Sequence, residues 1–395
     1  MNTLDRVKQV LKNASILYGM VEQAPTPIDV INDMYDEVPK DLLKDGIIRD
    51  DVSGTGRIAG VGVARKLEVK MTGNNQKDQK ILNNIVTKEI YANDIDPSSA
   101  DMTRSTLLRI TKNTALVNVD NCDALLYNIT MNKTNVISIT NPPYQPPRGV
   151  KKGGNEYKKH VIKSIKDCPT FGVANIPMTF MVQDPFDKEN NDFKKLLIDS
   201  GLKKIRHVRH DAYKANVLTV YIVWQQGYTG DVEFSTYDVN DVNTYHSIWV
   251  DRAELRELSI WPVARTDIEF NLAKTILAHA KKKYNFILNN KVQKKDWCVE
   301  IEYMIGLEKE RLNKANPLRL AKRGPTEEVR GGSYSKFINV DSEAAADSLV
   351  DHLNTVGQPW FRMVPRGSSA ENWMMGPVID MWLDKNTTSR LFEFA

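Results

Sequence analysis

The chain is expected to be an α/β protein, with a sheet sandwiched by helices over residues 1 to about 226 and a smaller mixed α+β region after it. Three observations support this. Short apolar runs end repeatedly in a glycine turn or a carboxylate, as Gly46–Asp50 and Lys88–Asn93 do, which suits strands that deliver ligand-binding groups at a sheet's carboxyl edge. Helix-like stretches follow these runs, so the units read as strand, turn and helix. Near Gly227-Tyr-Thr-Gly230 the alternation breaks, and no comparable signature follows.

With 395 residues, 41% of them hydrophobic, the chain is long enough for about two domains. No apolar run is long enough to cross a bilayer, and the opening MNTLDRVKQV lacks the apolar core of a signal peptide. A soluble cytoplasmic protein with no membrane partner is therefore expected. Cys122, Cys168 and Cys298 are too scattered for a disulfide framework or zinc cluster, and the six histidines show no ligand spacing. No metal is expected. The net charge of +4 says little by itself, but the cations gather in Arg148–Lys166, Lys203–Lys214, Lys281–Lys295 and Lys309–Arg323.

The first unit is the strand Gly46–Asp50, the turn Asp51–Gly56 and a helix from Arg57 to Leu67. Gly54 and Gly56 let the backbone turn sharply and approach a ligand, and no Gly-Lys-Ser/Thr follows to make a phosphate-cradling loop. The second strand, Lys88–Asn93, ends at Asp94-Ile95-Asp96-Pro97, where a carboxylate suits a ribose diol. Capping of a helix that begins near Pro97 is the competing role for both acids, more so for Asp96. A third strand, Ala115–Val119, leads to Asp123, placed to accept from an adenine amine.

Next comes the buried-strand pattern Val136–Thr140, followed by Asn141-Pro142-Pro143-Tyr144. The exocyclic amine of adenine or cytosine is a poor nucleophile because its lone pair is delocalised into the ring. Acceptors that draw it toward tetrahedral geometry make it reactive. Asn141 offers an amide oxygen, and Pro142 a carbonyl with no N–H of its own to compete. Pro143 restricts the backbone before it, and Tyr144 offers a ring for stacking. The pattern points to methyl transfer onto a planar amine.

Taken in order, these motifs resemble the S-adenosylmethionine-dependent amino methyltransferases of DNA, in the gamma arrangement where the cofactor motifs precede the catalytic one. Thr26-Pro27, with the amphipathic stretch Ile28–Val38, resembles the leading cofactor motif. Asp50 to Gly56, including Ser53, Gly54 and Thr55, resembles the turn that wraps the methionine moiety. Asp94 and the neighbouring Ile95 fall where the family holds the ribose, Asp123 where it contacts the cofactor adenine, and Asn141 to Tyr144 match the catalytic motif in full. Val173–Pro177 resembles the later strand that ends in proline, and Tyr213–Trp224 the late hairpin, with Tyr213 the candidate to stack on an extruded base. Two positions depart from the pattern, with Asp51 where relatives carry proline and Ala92 where they often carry glycine.

The resemblance covers residues 20 to 226. It implies a Rossmann-like catalytic domain over 1–226, S-adenosylmethionine as cofactor, double-stranded DNA as substrate and adenine N6 as the methylated atom. Cytosine N4 remains a rival acceptor, and a non-catalytic DNA-binding or specificity subunit that keeps the fold is a rival of another class. Enzymes with a similar motif methylate protein glutamine or RNA guanine, but place it nearer the C-terminus. The Gly/Pro-rich loop after Tyr144 carries Arg148, Lys151 and Lys152, and the following helix carries Lys158, all candidates for the DNA backbone. Residues 227–395, with Trp360, Trp373 and Trp382 near their end, are expected to read the target sequence, since such an enzyme needs side chains in a groove. A monomer, a restriction endonuclease partner and a bacterial or phage setting all suit this reading.

Overall fold

A computed structural model of the chain describes residues 2–17, 26–126, 135–144, 155–167, 170–182, 186–209, 212, 218–238, 241, 243–281, 297–303, 318–325, 335–364 and 372–385. The chain divides into two compact units. The first is Met1–Pro177, Leu197–Lys214 and Thr219–Gly230, and the second is Met178–Leu196, Ala215–Leu218 and Asp231–Ala395. Two early segments thus group with the C-terminal unit, which a single cut at residue 226 would not separate out. No helix among the described residues is long and apolar enough to cross a membrane.

The first unit opens with α1 (Thr3–Leu17), α2 (Ile28–Asp36) and α3 (Lys40–Asp45), then β1 (Ile47–Asp50), α4 (Arg57–Lys70), α5 (Asn75–Lys88), β2 (Ile90–Asn93) and α6 (Pro97–Ile110). It continues with β3 (Asn118–Asp120), β4 (Val136–Thr140), α7 (Glu156–Asp167) and β5 (Phe171–Pro177). After α8 (Lys188–Asp199), most of which belongs to the second unit, come β6 (Leu202–His207) and β7 (Thr219–Gln225). Its strands run in the order β3-β2-β1-β4-β5-β7-β6. The first five are parallel, and β7 is antiparallel to both β5 and β6. Every residue of β1, β4 and β5 is buried, as a parallel sheet covered on both faces requires. Strand order reverses between β1 and β4, so the turns leaving these two neighbours meet at a topological switch point, where open α/β sheets bind ligands.

Local signals set the helices between the strands. Asn74 caps α5 by accepting from the Gln76 and Lys77 amides, and Asp96 caps α6 by accepting from Ser99, with Pro97 in the first turn. Lys112 and Asn113 take left-handed φ of 57° and 60° and so stop α6. The third strand pairs only over Asn118–Asp120, against Tyr91–Asn93. It begins later than the expected 115–119 because the Asn118 side chain donates to the Thr87 and Ile90 carbonyls at 2.6 and 3.3 Å and fixes the register there. Part of the second basic group is committed internally: Lys204 and Arg206 of β6 pair with Glu37 at 2.9 and 3.4 Å, and Arg209 with Asp29 at 2.6 Å.

The second unit contains the antiparallel pair β8 (Val232–Tyr237) and β9 (Tyr245–Val250), then α9 (Arg252–Glu257) and α10 (Asp267–Leu277). A three-stranded antiparallel sheet follows, with β10 (Trp297–Tyr303) between β11 (Leu318–Arg323) and β12 (Ser335–Val340). It closes with α11 (Glu343–His352), α12 (Gln358–Met363) and α13 (Asn372–Lys385). One cluster of its core packs Trp261 edge-on against Phe180 and Phe234, with ring centroids 6.0 and 6.3 Å apart. Trp360 is fully buried and donates to the Met374 carbonyl, and Trp382 is 4% exposed. The Trp373 side chain lies outside the described residues.

Arg49, in the middle of β1, is 1% exposed. Its Nε donates to Asp51 at 2.5 Å and its Nη2 to Asp167, at the end of α7, at 3.0 Å, and Lys163 also pairs with Asp167. The departure from proline at position 51 therefore has a physical reason, because a guanidinium buried in the sheet needs a carboxylate there. Burial raises the Asp51 carboxyl above its usual range even though Arg49 opposes the shift. Removing one partner from a buried pair strands the other. Asp51→Ala is expected to destabilise the protein by about 3 kcal/mol, measured by denaturant unfolding. The double variant Arg49→Met/Asp51→Ala should recover most of that loss, giving a clear coupling energy in the double-mutant cycle.

Candidate active site

Four strand ends converge on the site. At the end of β1, Asp50 is fully buried and neither of its carboxylate oxygens makes a well-formed hydrogen bond. Burial, then the charges of Asp51 and Asp94, push this carboxyl well above its ordinary range, and the Val52 amide offsets that only in part. The turn that follows is tied to its neighbours. The Ser53 amide donates to the Asn93 carbonyl at 2.9 Å, and the Ser53 hydroxyl meets that of Thr103 at 3.0 Å. Thr103 in turn donates to the Gly54 carbonyl at 3.1 Å, and Thr106 reaches the Thr55 carbonyl at 3.5 Å.

The two glycines of the turn serve different ends. Gly56 has φ +74°, and a Cβ there would come within 2.8 Å of the Thr103 backbone, so α6 packs against it. Gly54 has φ +51°, and an added Cβ would meet nothing within 4 Å. One glycine is needed for packing, and the other leaves open space at the mouth of the sheet.

At the end of β2, one oxygen of Asp94 accepts from the Gly54 amide at 2.7 Å and the other from the Asp96 amide at 3.0 Å. Burial outweighs these bonds and raises its pKa. Asp96 is the helix cap, and the Ser99 hydroxyl and amide hold its carboxyl below the usual range. Of the two acids weighed for capping, the structure divides the roles, since Asp94 is bound to the glycine turn instead. Ile95, next to it, is 62% exposed. Beyond β3, Asp123 is half-buried and accepts from the Leu125 amide at 2.9 Å.

At the end of β4, the Asn141 amide nitrogen donates to the Thr26 hydroxyl at 2.7 Å, and its oxygen accepts from the Tyr144 hydroxyl at 3.0 Å. Pro142 is buried, and Pro143 and Tyr144 are half-buried. Arg57, at the start of α4, donates to the Thr26 carbonyl at 3.2 Å. Thr26 therefore joins the Asn141–Tyr144 segment to the helix that leaves the glycine turn, across 115 residues of sequence.

The sequence reading missed three supporting residues. Asn93 is 1% exposed and donates to the carbonyls of Asp51 and Cys122, while its oxygen accepts from the Cys122 amide and thiol. It thus ties the ends of the first three strands together. Thr103 braces the turn, and Asn175 approaches Asn141 from β5. For Asn93 and Asn175 the available signal was an amide in an otherwise apolar strand. Lys158 is 3% exposed, on the covered side of α7 with Tyr157 and Val161, while Lys159 points outward and pairs with Glu156. Tyr213, Arg148, Lys151 and Lys152 lie outside the described residues. Among the described residues no group of three or more His, Cys, Asp or Glu is arranged to hold a metal ion.

No protein-family model and no curated protein sequence matches the chain. Several solved structures do. The M protein of the type I restriction enzyme EcoKI aligns with 97% of this chain and 76% of its own, at 13% identity and a TM-score of 0.43. A modification subunit of a putative type I restriction enzyme from Vibrio vulnificus aligns over 58% of this chain and 50% of its own, at 12% identity and 0.43. The type IIG restriction endonuclease BpuSI aligns over 77% and 39%, at 15% identity and 0.43. The chain thus spans about half or less of the length of the last two proteins. These are likenesses in outline, and the functional reading rests on the site itself.

Proposed function

We propose that the chain transfers a methyl group from S-adenosylmethionine to the N6 amine of a flipped adenine in double-stranded DNA. The observation that carries this reading is the Asn141 amide at the switch point, its nitrogen engaged by Thr26 and its oxygen facing the Tyr144 hydroxyl. That oxygen is an acceptor of the kind a planar amine needs.

The residues at the other strand ends fit the cofactor. The buried Asp50 carboxylate suits a cationic group, and the space over Gly54 admits a ligand against the backbone. The Asp94 carboxylate, held in place by the Gly54 and Asp96 amides, suits a ribose hydroxyl. Ile95 offers an exposed apolar surface for an adenine ring, and Asp123 an acceptor for its amine. When bound, the cofactor supplies a methyl group made electrophilic by its sulfonium.

The chain's own side chains do the rest. A base in a duplex must be flipped out, at a cost of a few kcal/mol. Stacking on Tyr144, and on Tyr213, offsets this by about 1–3 kcal/mol per base. Asn141 and the Pro142 carbonyl hold the amine protons, draw the lone pair out of the ring and align it for in-line attack. No strong base is required, since the nitrogen becomes acidic once methylated. Residues 227–395 read the sequence in this scheme. Arg148, Lys151 and Lys152 contact the backbone, and the protein acts as a monomer alongside a restriction nuclease.

Incubation with unmethylated genomic DNA and labelled S-adenosylmethionine, followed by nucleoside mass spectrometry, is expected to yield N6-methyl-2′-deoxyadenosine. Asn141→Ala should lower the rate by about a hundredfold or more. N4-methylcytosine in its place would move the assignment to cytosine, and failure to bind cofactor at all would leave only a non-catalytic DNA-binding role.

Asp50 separates binding from stability. Its folded pKa is raised, so its contribution to stability is full below the ordinary carboxylate range and is lost as pH rises through the folded value. Asp50→Asn removes that loss. The cofactor-free variant should be more stable at neutral pH by about 1–3 kcal/mol, with the gain shrinking as pH falls. Calorimetry should show the variant binding cofactor weakly, and the wild type losing affinity as pH falls through the raised Asp50 pKa.

A further inference from the structure

We infer that Asn175 is a positioning residue of this site, holding the Asn141 carbonyl oxygen toward the substrate amine. The inference rests on the methyl-transfer reading of Asn141. Asn175 is the one polar side chain in β5, Phe171–Pro177, and it is fully buried. An amide in a covered central strand is costly unless it is hydrogen-bonded, so its placement calls for a reason.

Register provides the proximity. Thr140 of β4 pairs with Ala174 of β5 in parallel, which sets Asn141 and Asn175 level at the carboxyl edge. The Asn175 amide nitrogen lies 3.4 Å from the Asn141 oxygen and 3.5 Å from the Tyr144 hydroxyl oxygen. Those lengths are at the long end for hydrogen bonds, so the contact is one that can tighten when a ligand enters.

The chemistry of the donors shows why this contact matters. Thr26 and Tyr144 hold Asn141 through hydroxyls, and a hydroxyl can donate or accept. Neither can dictate which end of the amide faces the pocket. Asn175 turns its amide nitrogen to Asn141, and in that orientation it can only donate, so it favours an oxygen opposite it. The Asn141 oxygen has two lone pairs. Tyr144 takes one at rest and yields it to the incoming amine, while Asn175 keeps the other throughout.

The test replaces Asn175 with an isosteric side chain that cannot donate when ionised. In Asn175→Asp the new carboxylate opposes the Asn141 oxygen and favours the turned amide, whereas the protonated carboxyl can donate again. Single-turnover methyl transfer to DNA should fall by about 10–100-fold at pH 8 and recover as pH is lowered, a recovery absent from the wild type. Asn175→Leu should lose the same factor at every pH. Both variants should keep the wild-type affinity for S-adenosylhomocysteine by calorimetry, and circular dichroism melts establish that they are folded. The inference is overturned if the wild type methylates DNA and Asn141→Ala does not, yet both Asn175 variants keep the wild-type rate and pH profile. It is also overturned if their loss appears only in cofactor affinity. A wild-type protein that binds cofactor but methylates no DNA would instead bring down the methyl-transfer reading, and the inference with it.

Discussion

An asparagine amide is nearly symmetrical in shape, and its hydrogen bonds decide whether oxygen or nitrogen meets a ligand. For Asn141 the first of these bonds runs to Thr26 at 2.7 Å, and the placement of Thr26 depends on much of the first unit. The segment it begins continues as α2, whose Val30, Ile31, Met34 and Tyr35 are buried. Tyr35 donates to the Ile58 carbonyl of α4 at 3.0 Å, and Tyr221 of β7 donates back to the Val30 carbonyl at 3.3 Å. Arg57 then grips the Thr26 carbonyl. Helix packing on the sheet thus sets where the Asn141 side chain lies at the end of β4.

The end of β1 shows a second constraint. Side chains alternate along a strand, so Arg49 and Asp51 share one face while Asp50 points to the other. The first face is neutralised internally, with Asp51 and Asp167 closing around the guanidinium. The second keeps a carboxylate that burial and two neighbouring acids make costly. Groups left uncompensated in this way are common where binding is favoured over stability. Arg49 also links the sheet beneath the glycine turn to the end of α7.

The sequence was most legible where one local rule acted alone. The strand Val136–Thr140 stands where its apolar pattern put it, and the helix expected to carry Lys158 is α7, Glu156–Asp167. Long-range pairing was harder to read. Lys204 and Arg206 belong to one of the clusters of cations in the sequence, yet they lie in a strand and pair with Glu37, more than 160 residues earlier. The helix α5 escaped notice because only Leu82, Ile85 and Val86 of its apolar residues are buried under a largely polar surface. In the site, the acids at strand ends and the glycine turn could be read from position. What braces them could not, since Thr103, Asn93 and Asn175 act through contacts that only the folded register creates.

In the proposed methyl transfer, the hydrogen bond between Tyr144 and Asn141 would govern selectivity. With the phenol seated on the amide oxygen, an arriving amine exchanges one hydrogen bond for another, at little net gain. A small aliphatic amine or amide has nothing else to offer and loses the exchange to an intramolecular competitor. A planar base also meets the ring face that the hydroxyl vacates, and stacking worth about 1–3 kcal/mol tilts the exchange in its favour by roughly ten- to a hundredfold. The tyrosine acts as a resident decoy, so the acceptor opens to a molecule that brings an aromatic surface along with its nitrogen.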